Sequence, residues 1–255
     1  MQTLVTPLVT AGNETDLIGL AVADVDASQS LELNLPDEAL VVVLYGVLEI
    51  EVDGERLGQA GGRANVFEAQ ADAVYLPPGA SARLTAMGSG AGVAIATAPL
   101  ADAPAAPARI IKPADQRVNE VGEGNWARQV RTILGPEHEA GRLLVGETIN
   151  PPGNWSSYPP HKHDQHRPPL EVQLEEVYLF KVDPAGGFGV QLRYDDKGED
   201  VRTVRDGDVA VIASGYHPVV AAPGHALYYL WVMAGNGRAM APFLEPQHAW
   251  LQEGR

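Results

Sequence analysis

Residues 40–52, LVVVLYGVLEIEV, run directly into Asp53-Gly54. Valine and isoleucine are stiff at χ1 and pack well on a pleated surface, and Asp-Gly is a strong hairpin signal. The stretch therefore reads as one strand, or two joined at Gly46, that turns at residue 53. Downstream, residues 74–76 run into Pro77-Pro78-Gly79, and further short strands are predicted at 83–85 and 92–97. Short strands at regular spacing with turn signals point to an antiparallel sandwich or barrel. The 27 glycines and 20 prolines favour many turns over long helices.

The second half repeats the style, with strands predicted at 142–149, 176–182, 189–194, 209–213 and 226–232. Between the halves lies 98–113, APLADAPAAPARIIKP. Proline fixes φ and removes a donor, so this stretch reads as an extended linker. A length of 255 residues allows two domains of roughly 120 residues each. The expected division is 1–105 and 106–255. The segment 74–84 (VYLPPGASARL) is similar to 211–227 (VIASGYHPVVAAPGHAL), which suggests a duplicated strand–turn–strand module.

Bulk charge narrows the function. A formal net charge of −15 repels phosphate backbones, so nucleic acid is not an expected partner. An anionic substrate needs a local cluster of Arg, Lys or metal charge. The chain has no cysteine, which excludes disulfides and thiolate metal sites. Its first residues lack a basic region followed by an apolar core, and no apolar run approaches about 20 residues. A cytoplasmic protein without a membrane span is the expectation.

All seven histidines lie beyond residue 137, so histidine chemistry is expected in the second half alone. His161-Lys162-His163 would place both imidazoles on one face of a strand, the way a β-scaffold offers two nitrogen ligands to one ion. The stiff aromatic run 154–160 (NWSSYPP) precedes it. Residues 174–181 (LEEVYLFK) read as a buried strand that opens on two carboxylates, costly to bury unless paired or metal-bound. His217 follows a glycine turn at a strand end. Three His and one Glu would make a site for one divalent ion, Mn²⁺ or Zn²⁺ first, with Fe²⁺, Co²⁺ and Ni²⁺ also suited. Glu175 and Glu176 must face opposite ways on a strand, so only one of them can join the histidines.

These residues resemble the cupin superfamily, whose first motif pairs H-x-H with a Glu and whose second carries one His after a glycine turn. His161, His163 and Glu176 correspond to the first motif and His217 to the second. In cupins the Glu directly precedes a Val-aromatic strand, as Glu176 does here. A longer match covers nearly the whole chain. GNWSSYPPHKHD, LEEVYLFKV, DGDVAVIASGYHPVVAAPG, LYYLWVMAG and GRANVFEAQADAVYLPPG resemble the 5-deoxy-glucuronate isomerases of bacterial myo-inositol catabolism. The long insert between His163 and Glu176 is a feature of that family. Trp231 departs from it, standing where the family has asparagine, and is expected to reshape the pocket.

The resemblance implies an all-β bicupin of two tandem jelly-roll (double-stranded β-helix) barrels, the first without metal. It also implies conversion of 5-deoxy-D-glucuronate to 2-deoxy-5-keto-D-gluconate. Such an aldose–ketose isomerisation passes through an enediolate that a divalent ion stabilises, with a base carrying the proton between carbons. Glu175 and His166 are the candidate bases. Arg128, Arg131 and Arg193 are candidate carboxylate clamps, and Tyr158, Tyr178 and Tyr229 candidate hydroxyl contacts. The partner is a small sugar acid, and the resemblance allows a homo-oligomer. Rival readings are a 4-deoxy-5-hexosulose-uronate isomerase and a cupin dioxygenase, the latter marked by oxygen uptake.

Overall fold

A computed structural model describes residues 3–100 and 106–252. The chain forms two compact units. The first comprises Met1–Arg117 with Ile133–Val145, and the second Val118–Thr132 with Gly146–Arg255. The units thus do not divide at the expected 105/106 position. The strand Arg109–Ile111 lies within the predicted linker but pairs with Ala73–Leu76, Tyr75 opposite Arg109. The linker reading is therefore corrected for 109–111, while residues 101–105 lie outside the described residues.

The first unit is built on the strand Glu38–Val52, which pairs with Ser81–Ala98 from Glu38↔Ala98 to Val52↔Ala82. The stretch 40–52 is one strand, and the register shifts around Tyr45 rather than breaking. Gly46 is the reason. Its φ is +79°, and a Cβ there would lie 2.3 Å from the Gly90 carbonyl oxygen. Only glycine lets the two backbones pass this closely at a bulge. The separate strands predicted at 83–85 and 92–97 are likewise one strand, Ser81–Ala98. At the predicted hairpin, Asp53 and Gly54 both have positive φ and Val52 pairs with Glu55. That is the backbone sense that matches the twist of the flanking strands.

This unit's interior is aliphatic, with Val25, Leu31, Val41, Leu48, Leu84 and Val93 among its buried residues. One charged group is fully buried beside it. Glu38 accepts the Tyr75 hydroxyl and the N–H groups of Gly141 and Leu143, each at 2.8 Å, and also the N–H of Arg142. A carboxylate with four donors replaces its lost hydration and satisfies a loop backbone at the same time.

The second unit contributes most of a sheet of six strands with the order Val209–Ile212, Leu174–Asp183, Ala226–Gly235, Leu144–Asn150, Arg128–Leu134, Arg117–Val121. A four-stranded sheet runs Trp155–Ser156, Val219–Ala221, Gly189–Asp195, Gly198–Val204, and His161–Lys162 pairs with Phe243–Leu244. Leu174–Asp183 and Ala226–Gly235 pair without a break, from Leu174↔Gly235 to Asp183↔Ala226. Opposite residues in an antiparallel pair share a face, so Glu176 stands beside Met233, Tyr178 beside Trp231 and Phe180 beside Tyr229. Glu175, beside Ala234, takes the other face. This two-residue period decides which side chains reach the site.

Replacing Glu38 with alanine leaves three buried N–H groups and a tyrosine hydroxyl without their acceptor. The expected loss is about 3 kcal/mol or more in urea unfolding. A loss below about 0.5 kcal/mol, the range of an ordinary surface substitution, would show that the loop does not depend on this carboxylate.

Candidate metal centre

Glu176 is 5% exposed, and its Oε2 lies 3.2 Å from His163 Nε2 and 3.3 Å from His217 Nε2. Ligand atoms of these three residues lie within 4.8 Å of one another, the arrangement a single ion requires. Each histidine is oriented by its other nitrogen. His163 Nδ1–H donates to the Leu174 carbonyl at 2.7 Å, and His217 Nδ1–H to the Gly215 carbonyl at 2.9 Å. Both Nε2 atoms are thereby turned toward Glu176, as metal-binding imidazoles are fixed by an outer hydrogen bond.

The backbone explains the convergence. His163 is held by Leu174, whose N–H donates to the His163 carbonyl at 2.8 Å. This closes the insert and brings the H-x-H segment beside the strand that carries Glu176. His217 sits on a turn where Gly215 has φ +85°, and a Cβ at Gly215 would lie 2.7 Å from the Tyr194 carbonyl. Tyr216 and Tyr194 then exchange backbone hydrogen bonds at 2.9 Å in both directions.

The electrostatics suit a cation. Burial alone would raise the Glu176 carboxyl, but the His163 and His217 imidazoles beside it hold it well below the usual carboxylate range. Burial would lower His163, yet its hydrogen bond to Glu176 and the nearby charge raise it. His217 is fully buried, and its Nε2 meets Glu176 Oε2 at 3.3 Å without an aligned hydrogen bond. An orphaned buried ring nitrogen, an anionic oxygen and a second imidazole fit a divalent ion of borderline softness.

His161 stands next to this triad rather than inside it. Its ring centroid is 4.8 Å from that of His217 and 6.3 Å from that of His163. Burial, then the His217 and His163 rings, push it down to about 3, so it stays a neutral imidazole. It lines the same cavity, of about 190 Å³, with His163 and Glu176. The cavity's other polar lining residues are Arg128, Thr148, Ser157, Tyr178 and Tyr229, and Trp231, Met233 and Met240 are among those on its apolar side.

Of the residues predicted from sequence, Arg128, Tyr178 and Tyr229 therefore reach the cavity. Arg128 is 8% exposed and also donates to the Trp126 carbonyl at 3.1 Å. Tyr158 does not line it, but packs among Trp126, Trp155 and His248. Arg193 lies in the hairpin 189–204 opposite Asp200, and Arg131 is bound to buried Glu147 at 3.1 Å. Neither candidate base lines the cavity: Glu175 takes the other face of its strand, and His166 is exposed on the insert. The run 154–160 reads in the sequence as a pocket wall, and Ser157 is the residue of it that lines the cavity, whereas nothing in the sequence singles out Ser157 within that run or Thr148 at all. Ser157 is 5% exposed, has φ +49°, and shares a 2.9 Å hydrogen bond with the Tyr178 hydroxyl. A strained non-glycine residue facing a cavity is a mark of function, but backbone strain of this kind leaves no trace in the residue pattern.

Residues 2–251 match the KduI/IolB family. The chain belongs to that family. It is 41% identical over 244 residues to the 5-deoxy-glucuronate isomerase of Geobacillus kaustophilus, covering 94% of this chain and 87% of that one. Against the enzyme of the same name from Bacillus subtilis strain 168 the identity is 34% over 256 residues, covering 98% and 93%. Among solved structures, an IolB-like protein from Salmonella typhimurium LT2 superposes with a TM-score of 0.89 at 31% identity, covering 99% of both chains. A Lactobacillus farciminis oxalate decarboxylase superposes with a TM-score of 0.68 at 12% identity, covering 100% of this chain and 86% of that one, which extends the likeness in fold alone. The resemblance read from the sequence is borne out over nearly the whole KduI/IolB chain. No helix among the described residues is long and apolar enough to cross a membrane.

An ion held by His163 would compete with protons for its ring nitrogen, so its binding would be coupled to pH. In the metal-free protein, His163 is raised, so its protonated form contributes stability at low pH that is lost as pH rises through the folded value. Metal affinity runs the opposite way. Calorimetry with Zn²⁺ or Mn²⁺ should show affinity falling as pH drops from about 8 to about 6, with proton release on binding. Affinity independent of pH would contradict the assignment of His163.

Proposed function

We propose that this chain is a 5-deoxy-glucuronate isomerase, and that His163, Glu176 and His217, with His161 as fourth donor, hold its divalent ion, Mn²⁺ or Zn²⁺. The observation that carries the reading is the convergence of two imidazoles on one buried carboxylate at the wall of a cavity that Arg128 also lines. Four donors from three histidines and one glutamate leave coordination positions open, as a catalytic site requires. The first unit, whose single histidine, His138, accepts the Gly135 N–H at 3.0 Å, we take as the barrel without metal.

When bound, the ion would supply Lewis-acid stabilisation of the negative charge that develops on the substrate's oxygens. The reaction moves one proton from C2 to C1 and another from O2 to O1. Arg128 would bind the substrate carboxylate and fix which end enters first; its planar guanidinium suits a bidentate pair and offsets the net charge of −15. The Tyr178 hydroxyl, raised far above its ordinary value by burial and by Glu176, stays protonated and with Ser157 can donate to a sugar oxygen. Tyr229, which shares a hydrogen bond with buried Ser156 at 2.5 Å, offers a second hydroxyl. Trp231, Met233 and Met240 give an apolar surface suited to the methylene carbon of a 5-deoxy sugar and unsuited to a hydroxyl there.

The test is turnover of 5-deoxy-glucuronate by the metal-loaded enzyme, without oxygen consumption. His163→Ala should lose both bound metal and activity, whereas absence of metal from the wild type or full activity in the variant would sink the proposal. Arg128→Met should raise KM by about tenfold or more with a smaller effect on bound metal. His161→Gln should lose metal together with turnover. Full metal content with lost turnover would instead transfer His161 to the role of the base.

A further inference from the structure

The insert between His163 and Leu174 takes no part in the cavity lining, yet it carries a completely buried carboxylate. Glu171 is 0% exposed. Its Oε1 accepts the N–H groups of Asp164 and Gln165, each at 2.9 Å, and its Oε2 pairs with Arg167 at 2.5 Å. The Arg167 guanidinium in turn lies 4.9 Å over the Phe243 ring. The first turn of the insert is therefore wound around one side chain, and that turn begins at the residue after His163.

Asp164, seated in this way, reaches across to the other arm of the site. Its Oδ2 accepts the Gly215 N–H at 2.9 Å, while its Oδ1 pairs with Lys162 at 2.7 Å. The Gly215 carbonyl is the group that receives His217 Nδ1–H. A continuous path thus runs from Glu171 through Asp164 and Gly215 to the ring of His217. Asp164 directly follows one proposed ligand and holds by hydrogen bond the turn that orients another.

Building on the metal reading above, we propose that Asp164 is a positioning residue, and that the insert is a clasp that fixes His217 against His163 and Glu176. Without it, the turn that carries His217 loses its hydrogen bond to the segment that carries His163, leaving the ring contacts and Glu176 to hold the two arms together. Outer hydrogen bonds of this kind typically change metal affinity by about ten- to a hundredfold.

The test uses Co²⁺, whose visible spectrum reports ligand geometry, on the full chain and on Asp164→Ala, Asp164→Asn and Glu171→Ala. Asparagine keeps a carbonyl oxygen for the Gly215 N–H; alanine does not. Asp164→Ala and Glu171→Ala should bind Co²⁺ about ten- to a hundredfold more weakly with a shifted visible band, and Asp164→Asn should restore both. In the metal-free proteins, amide exchange at Gly215 should be slow in the wild type and Asp164→Asn and fast in Asp164→Ala. This second measurement separates the two ideas: a wild type that binds no Co²⁺ sinks the metal reading, whereas unchanged exchange at Gly215 in Asp164→Ala sinks the clasp. Wild-type Co²⁺ affinity in Asp164→Ala, or equal weakening by alanine and asparagine, also overturns it. If Asp164→Ala does not fold, Glu171→Ala against Asp164→Asn decides by the same readouts.

Discussion

A carboxylate removed from water without partners is penalised by several kcal/mol, and Glu176 is 5% exposed in the middle of a sheet. The second unit is arranged around relieving that penalty. His163 and His217 approach the same oxygen from separate segments, and each is turned by a backbone carbonyl so that its remaining nitrogen faces inward. Removing one imidazole would leave a buried anion with half its compensation. A divalent ion would complete it, and would also engage the His217 nitrogen, which makes no aligned hydrogen bond. Stability and chemistry therefore draw on the same three side chains.

The first unit shows what a closely similar grammar of strands does without that constraint. Its interior is filled by valine, leucine, isoleucine and alanine, and its buried carboxylate, Glu38, serves a loop backbone. Aliphatic packing tolerates no open coordination site, whereas the polar lining of the second unit leaves a cavity of about 190 Å³. Glycines at bulges and turns recur in both units. Gly46 lets two strands pass, and Gly215 bends the chain so that His217 faces Glu176.

Much of this is legible in the sequence because it follows from local rules. The period of two along LEEVYLFK is enough to separate Glu175 from Glu176, and Asp53-Gly54 announces its hairpin. The H-x-H segment and the lone His217 can be paired because few other residue types hold a divalent ion. What is not legible depends on long-range closure. Nearness in sequence suggests Glu175 and His166 as bases, but a strand face and an exposed loop carry them away from the cavity. Arg193 and Arg131 look the same as Arg128 in the residue pattern; the first stands on a hairpin away from the cavity, and Glu147 is bound to the second. The linker reading of 98–113 fails at 109–111 because alanine and proline on either side hide a short strand whose pairing partner lies far away in sequence.

The central claim is that one ion sits where His163, Glu176 and His217 converge. Anomalous diffraction at the absorption edge of the bound metal, on crystals of the loaded protein, tests it most directly. The account predicts a single strong peak about 2.0–2.2 Å from His163 Nε2, His217 Nε2 and a Glu176 oxygen if the metal is zinc. A peak elsewhere in the chain, or none in the cavity of a fully active enzyme, would contradict it.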